Sequence, residues 1–202
     1  MRLSKTKCAV LLEAFKQFAT KPYDQVTFTE LESSTGLSRG AILYHIKNKE
    51  NLFRCVIDDY VLSKSILTAT FESEIKNYSL WNFIQKFIEL CTEDKNELKE
   101  MGIANPNLAM LTIEIAAFYY YPMMREKAEE WYENDLAIWV NVLEKAIKEK
   151  EIKEDIDIKL TANLFTNIYL GTSHSGISKI KGYDINLIKK EFQFISVSYT
   201  HL

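Results

Sequence analysis

The sequence predicts an all-α protein, a three-helix head followed by a longer helical bundle. Glycine and proline number six and three among 202 residues, about 4% of the chain against roughly 12% in average usage. That leaves too few corners for a sandwich or barrel of many short strands. Apolar residues recur at helical spacing along most of the chain. Near the front, two short helices meet at a tight glycine turn between longer helices. Hydrophobic residues at 47% and charged residues at 26% are ordinary for a globular chain, and the length is ample for one or two cores.

Over residues 5–19, Ala9, Leu11, Ala14, Phe15 and Phe18 recur at helical spacing, with Lys7, Glu13, Lys16 and Gln17 on the remaining faces. This is an amphipathic first helix, broken by Pro22 and Asp24. Thr27 and Glu30 have the spacing of a reciprocal capping box, and Val26 and Leu31 that of a hydrophobic staple, so a second helix starts at Phe28. Gly36 suits the left-handed residue that stops it. Ser38 caps a third helix reaching Ile46. Asn48 caps a fourth, which carries Leu52, Phe53, Val56, Ile57, Tyr60 and Val61. Gly36 permits the sharp corner while Leu37 and Ile42 bury into the first three helices, which makes the segment a helix-turn-helix.

Charge is divided along the chain. Residues 1–65 hold ten basic and seven acidic side chains, net +3, whereas residues 66–202 hold 15 and 21, net −6. A polyanion would therefore meet the head. Cys8, Cys55 and Cys91 are odd in number and lack CxxC spacing, as expected of reduced, buried thiols rather than a disulfide framework or zinc site. His45, His174 and His201 have no partner at metal-ligand spacing, and His174 alone on an apolar helix reads first as a satisfied core residue. Neither GxGxxG, P-loop nor GxSxG occurs. No enzyme activity, cofactor or metal is expected. With neither a signal-peptide core nor eighteen uninterrupted apolar residues, the chain is expected to be soluble and cytoplasmic, without a membrane partner.

Beyond Ile66 the pattern stays helical. Leu80, Phe83, Ile84, Phe87, Ile88 and Cys91 share one helix face, and Asn105 to Asn107 mark a turn. Leu108 to Tyr121 is almost wholly apolar and reads as a buried helix of the body, stopped by Pro122. Residues 123–150 form a long helix with Trp131, Leu136, Trp139, Val140, Leu143 and Ile147 on one side. Asp157 opens another, reaching about Ser178, and a last begins near Asn186. Residues 197–202 read as a non-native tail of adapter origin, so the native chain is expected to run on beyond Ser196.

The stretch from Gly36 to Phe53, GLSRGAILYHIKNKENLF, preceded by a helix ending FATKPYDQVT, resembles the TetR family of bacterial regulators (the tetracycline-repressor-like family) over residues 5–60. That resemblance implies a DNA-binding head at 1–48, a linking fourth helix over about 49–74, and a regulatory and dimerisation bundle at 75–196. It implies a homodimer on a palindromic operator, with Ser38, Arg39, Gly40, Ala41, Tyr44 and His45 in the major groove. Thr27 and Lys49 would clamp phosphates. The residue chemistry agrees. Arg39, in the first turn of the third helix, suits a bidentate contact to guanine, and Ala41 suits a thymine methyl. Gly40 lets the backbone approach the groove, Tyr44 and His45 are polar-tipped aromatics, and Lys49 with the amides opening the fourth helix forms an anion site.

Three positions depart from the family pattern. Leu43 replaces a phosphate-contacting tyrosine, so one such contact is lost. Glu32 replaces a small residue and must tilt to solvent or widen the packing of the second and third helices. Pro22 replaces a glycine, so the turn there must differ in conformation.

The resemblance also implies a ligand pocket in the bundle, for which Phe87, Phe118, Tyr119, Tyr120, Trp131, Trp139, Phe165, Tyr169 and His174 are candidate walls favouring an apolar or aromatic effector. It implies dimerisation through the last two helices. There Gly171, Thr172, Ser173, Ser175 and Gly176 are either a close-approach surface or a loosening helix end. The functional expectation is a ligand-responsive repressor. The alternative is a helical small-molecule-binding protein or enzyme whose helix-turn-helix no longer binds DNA.

Overall fold

The computed structural model describes residues 5–64 and 78–199, and its elements are helical. These residues fall into two compact units, one of 5–64 with 108–127, the other of 78–107 with 128–199.

In the first unit, α1 (Lys5–Thr20), α2 (Phe28–Thr35), α3 (Arg39–Ile46) and α4 (Lys49–Tyr60) are each helical because their apolar residues recur three and four apart. Leu11, Phe15 and Phe18 of α1, Leu31 of α2, Ile42 and Ile46 of α3, and Phe53 and Val56 of α4 are buried. The expected punctuation is present. The Thr27 hydroxyl accepts the Glu30 N–H at 3.3 Å, and Glu30 accepts the Thr27 N–H at 3.4 Å. Gly36 ends α2 at φ 69°, a conformation that a side chain would strain. Ser38 accepts the Ala41 N–H at 3.3 Å and Asn48 the Asn51 N–H at 2.7 Å. After Pro22, at φ −53°, the chain makes a short 3-10 turn at Tyr23–Gln25, a corner with no left-handed residue. After α4 comes a further 3-10 turn at Leu62–Lys64. The rest of the expected fourth helix, residues 65–74, lies outside the described residues.

The apolar run after Asn107 differs from its sequence reading. It forms α6 (Pro106–Tyr120), which from Leu108 onward belongs to the first unit and is not a buried helix. Ala109, Ile113 and Ala117 turn inward, but Ile115, Phe118 and Tyr119 are 50%, 45% and 80% exposed. A run with almost no polar residues hides its period, so the sequence could not say which side is covered.

Glu114 is the one charged residue of α6, and burial pushes its carboxyl from about 4.5 up to about 7. The folded chain then holds a proton that the unfolded chain releases, so stability falls as pH rises through that window. Thermal midpoints measured from pH 4.5 to 7 should drop less steeply for Glu114→Gln than for the parent; equal slopes would count against the assignment.

The second unit holds α5 (Leu80–Glu100), most of α7 (Met124–Lys148), α8 (Ile158–Gly176) and α9 (Ile185–Tyr199). Ser79 caps α5 through the Asn82 N–H at 3.2 Å, and Asp157 caps α8 through the Leu160 N–H at 3.0 Å. Trp139 sits in the core, stacked on Phe165 at 4.7 Å, with Phe83, Phe87 and Phe192 presenting edges at 4.9–5.7 Å. Asn107 ties the start of α6 into this unit, donating to the Ser173 hydroxyl and accepting the Tyr183 N–H, each at 2.8 Å. Burial pushes the Cys91 thiol well above the usual thiol range, as expected of an inert structural cysteine. Cys8, by contrast, is exposed and Cys55 half-buried, so the expectation of buried thiols holds for one of the three. Among the described residues no helix is long and apolar enough to cross a membrane, and no cluster of side chains is arranged to hold a metal ion.

Candidate nucleic-acid interface

The third helix turns Ile42 and Ile46 into the core, and the helical period then points Ser38, Arg39, Gly40 and Tyr44 outward. All four are exposed, with Tyr44 at 82%, while Ala41, Leu43 and His45 are half-buried. The His45 ring meets the Tyr44 ring edge-on at 5.2 Å. At Gly40 an added Cβ would find nothing within 4 Å, so its surface is open to close approach by another backbone.

Two supports of this helix escaped the sequence reading. The Arg39 guanidinium lies 5.3 Å over the Phe28 ring. Such stacking occupies the face of the guanidinium and leaves its N–H edge free to pair with a base. Glu32 accepts the Arg39 backbone N–H at 2.6 Å. The departure expected to tilt away or spread the helices instead satisfies a donor left over at the start of α3, where a negative charge is also favoured. The signal for Phe28 was a large apolar residue in the solvated first turn of α2. Glu32 carried no sequence signal, because its partner lies across the turn.

Each of the two expected phosphate clamps has a neighbour within the protein. Thr27 is exposed, but its hydroxyl donates to Glu30 at 3.2 Å, and Glu30 also accepts from Lys21. That ion pair holds the Glu30 carboxyl below its usual range. The Lys49 ammonium lies 4.5 Å over the Tyr23 ring. Burial lowers its proton affinity, partly offset by the charge of Asp24.

The nine candidate pocket residues are divided between the two units. Phe87, Trp139 and Phe165 are buried in the second unit's aromatic core, and Tyr169 meets Phe87 edge-on at 5.2 Å. Phe118, Tyr119 and Tyr120 belong to the first unit and are 44–80% exposed. His174 is exposed rather than a core residue. Trp131 is half-buried, and its indole N–H is buried with no hydrogen-bond partner among the described residues.

The stretch of small residues is used largely within the chain. Thr172 donates to Glu191 at 2.9 Å, Ser173 accepts from Asn107, and Gly176 packs directly against Tyr183.

A capped recognition helix with an outward arginine, glycine and aromatic pair, set on a glycine corner, defines a helix-turn-helix DNA-binding protein. Residues 10–56 match the family described as "Bacterial regulatory proteins, tetR family". Two curated relatives are similar. The HTH-type transcriptional repressor BepR of Brucella suis biovar 1 (strain 1330) is 23% identical over 185 residues, 90% of this chain and 85% of that protein. The HTH-type transcriptional repressor AcnR of Corynebacterium jeikeium (strain K411) is 45% identical over 51 residues, 25% of this chain and 27% of that one. Among solved structures, the SmeT–triclosan complex shares the fold at a TM-score of 0.68 and 16% identity, covering 98% of this chain and 93% of its own. Over residues 10–56 the chain thus carries a head that matches the tetR family of regulatory proteins, and it is a DNA-binding transcriptional regulator.

Proposed function

We propose that the protein is a cytoplasmic, ligand-responsive repressor that binds a palindromic operator as a homodimer and acts by binding rather than catalysis. The observation that carries the reading is the exposed face of α3, where Arg39, Gly40 and Tyr44 stand outward on a helix fixed at its start by Ser38 and Glu32. Ser38, Ala41 and His45 complete the groove-facing set, with Thr27 and Lys49 toward the phosphates. Residues 1–48 are the functional head in this reading and 75–196 the regulatory part.

Support for a homodimer through α8 and α9 comes from their exposed apolar side chains, Leu160, Leu164 and Leu170 on one and Leu187 on the other, each 36–58% exposed. Two heads must then sit about 34–36 Å apart to meet successive major grooves, and an effector acts by favouring one separation over another. The similar SmeT structure is a complex with triclosan, which accords with an apolar or aromatic effector here. The indole N–H of Trp131, which has no hydrogen-bond partner among the described residues, offers such a ligand one directional contact.

Operator selection from a random duplex pool, followed by binding across a salt series, tests the reading. The expected operator is a palindrome, with affinity falling steeply in salt as bound phosphates release counterions. Arg39→Ala should cost roughly 1–3 kcal/mol at one base pair and relax specificity there. Absence of binding to any duplex at low salt would instead favour the alternative, a helical small-molecule binder whose head has left DNA.

A further inference from the structure

Several groups converge on the turn Tyr23–Gln25. Tyr120, at the end of α6, stacks on the Tyr23 ring with centroids 3.9 Å apart and planes 16° from parallel. Its hydroxyl donates to Asp24 Oδ2 at 3.1 Å. Lys49, the first residue of α4, holds its ammonium over the same Tyr23 ring and feels the charge of Asp24. Buried Phe53 sets its edge against Tyr23 at 5.1 Å and lies 6.5 Å from Tyr120. Tyr121 fixes the same end of α6 to α4, its hydroxyl donating to Asp58 at 2.5 Å. Glu50 adds its charge near Tyr23, and nearby Lys21 is already paired with Glu30.

Asp24 therefore has two competing partners, a neutral phenol and an ammonium. With the phenol in place, one carboxylate oxygen is satisfied and Lys49 rests on a ring, forming no ion pair among the described residues. It stays at the start of α4, where the helix amides also favour an anion. Without the phenol, the strong donor left to the carboxylate among the described residues is Lys49, which already feels its charge, and a charge-assisted bond between them is stronger than a neutral one. A lysine so paired is neutralised and turned away from a phosphate.

We propose that Tyr120 is a positioning residue for DNA binding: its hydroxyl keeps Asp24 occupied so that Lys49 stays available to a DNA phosphate, and its withdrawal lets Asp24 capture Lys49. This rests on the reading that the first unit binds duplex DNA. Residue Tyr120 lies on α6, whose first two residues belong to the second unit, so the device sits on a helix shared between the units along the chain.

The test is equilibrium binding of the full chain to a random-sequence duplex of about thirty base pairs, between about 50 and 200 mM salt. Tyr120→Phe keeps the ring and removes the hydroxyl. It should weaken binding and flatten the slope of log K against log salt by about 0.9 for each bound subunit, the value of one phosphate contact. Lys49→Gln should flatten it equally, the two together no further, and Asp24→Asn added to Tyr120→Phe should restore the parent slope. A merely structural phenol would weaken binding without altering the slope and would not be rescued at Asp24. A parent slope in Tyr120→Phe, or a loss additive with that of Lys49→Gln, overturns the proposal. Should Tyr120→Phe fail to fold, Asp24→Asn alone decides: a slope equal to or steeper than the parent's is expected, and a shallower one overturns it. If the parent chain binds no duplex, the DNA-binding reading falls as well; parent binding with an unchanged Tyr120→Phe slope sinks the switch alone.

Discussion

Replacing Trp139 by alanine is expected to remove about 3–5 kcal/mol of stability. The indole is 1% exposed and touches four phenylalanines. The neighbours cannot close over the void, because they are braced on one another. Phe165 meets Phe192 at 5.4 Å, and Phe192 meets Phe87 at 5.6 Å. Each ring that moved inward to fill the space would leave a gap behind it, so most of the cavity should persist. Domains of this size hold only about 5–15 kcal/mol in total, so the variant should unfold at much lower urea. The check is a urea titration with linear extrapolation, using Trp139→Phe as the milder comparison. A loss below about 2 kcal/mol would mean that the core collapses freely. The result bears on function too. Phe87, Trp139 and Phe165 cannot line an open effector site while they fill this core, and a large loss would confirm that they are structural.

The head was legible to within a residue or two because the rules that shape it act over four residues or fewer. The Thr27–Glu30 box, the Ser38 and Asn48 caps and the Gly36 stop are each a local hydrogen-bonding or steric choice. What escaped notice joins residues across turns or whole helices: Glu32 to the Arg39 amide, Arg39 to Phe28, and Tyr120 to Asp24 across 96 positions. No pattern in a single sequence carries such pairs. Aromatic side chains are ambiguous for a different reason. Aromatic content is the same for a side chain that fills a core and one that lines a cavity, so Trp139 and Tyr119 looked alike from sequence while one is buried and the other 80% exposed. In α6 the scarcity of polar residues erased the phase that would have assigned its faces.

The two glycines of α8 should respond to the same substitution with opposite signs. At Gly176 an added Cβ would lie 2.4 Å from the Tyr183 nitrogen, 2.8 Å from the Tyr183 Cα and 2.7 Å from Asn107 Oδ1. The first two are backbone atoms and cannot swing aside. Asn107 could turn away, but its oxygen accepts the buried Tyr183 N–H, which would then be left unpaired. Overpacking against backbone together with a lost buried hydrogen bond puts Gly176→Ala at about 3 kcal/mol destabilising. At Gly171, also within α8, an added Cβ meets nothing within 4 Å. Alanine there should stabilise the helix by roughly 0.5–1 kcal/mol through the backbone freedom that glycine loses on folding. Denaturation of both variants at two protein concentrations separates fold from assembly. If α8 packs closely on a second copy beside Gly171, Gly171→Ala should gain stability within each subunit yet weaken the dimer on dilution. A variant that gains stability equally at both concentrations would place the interface away from that face of α8. Destabilisation at Gly171 as large as at Gly176 would contradict the open surroundings on which the contrast depends.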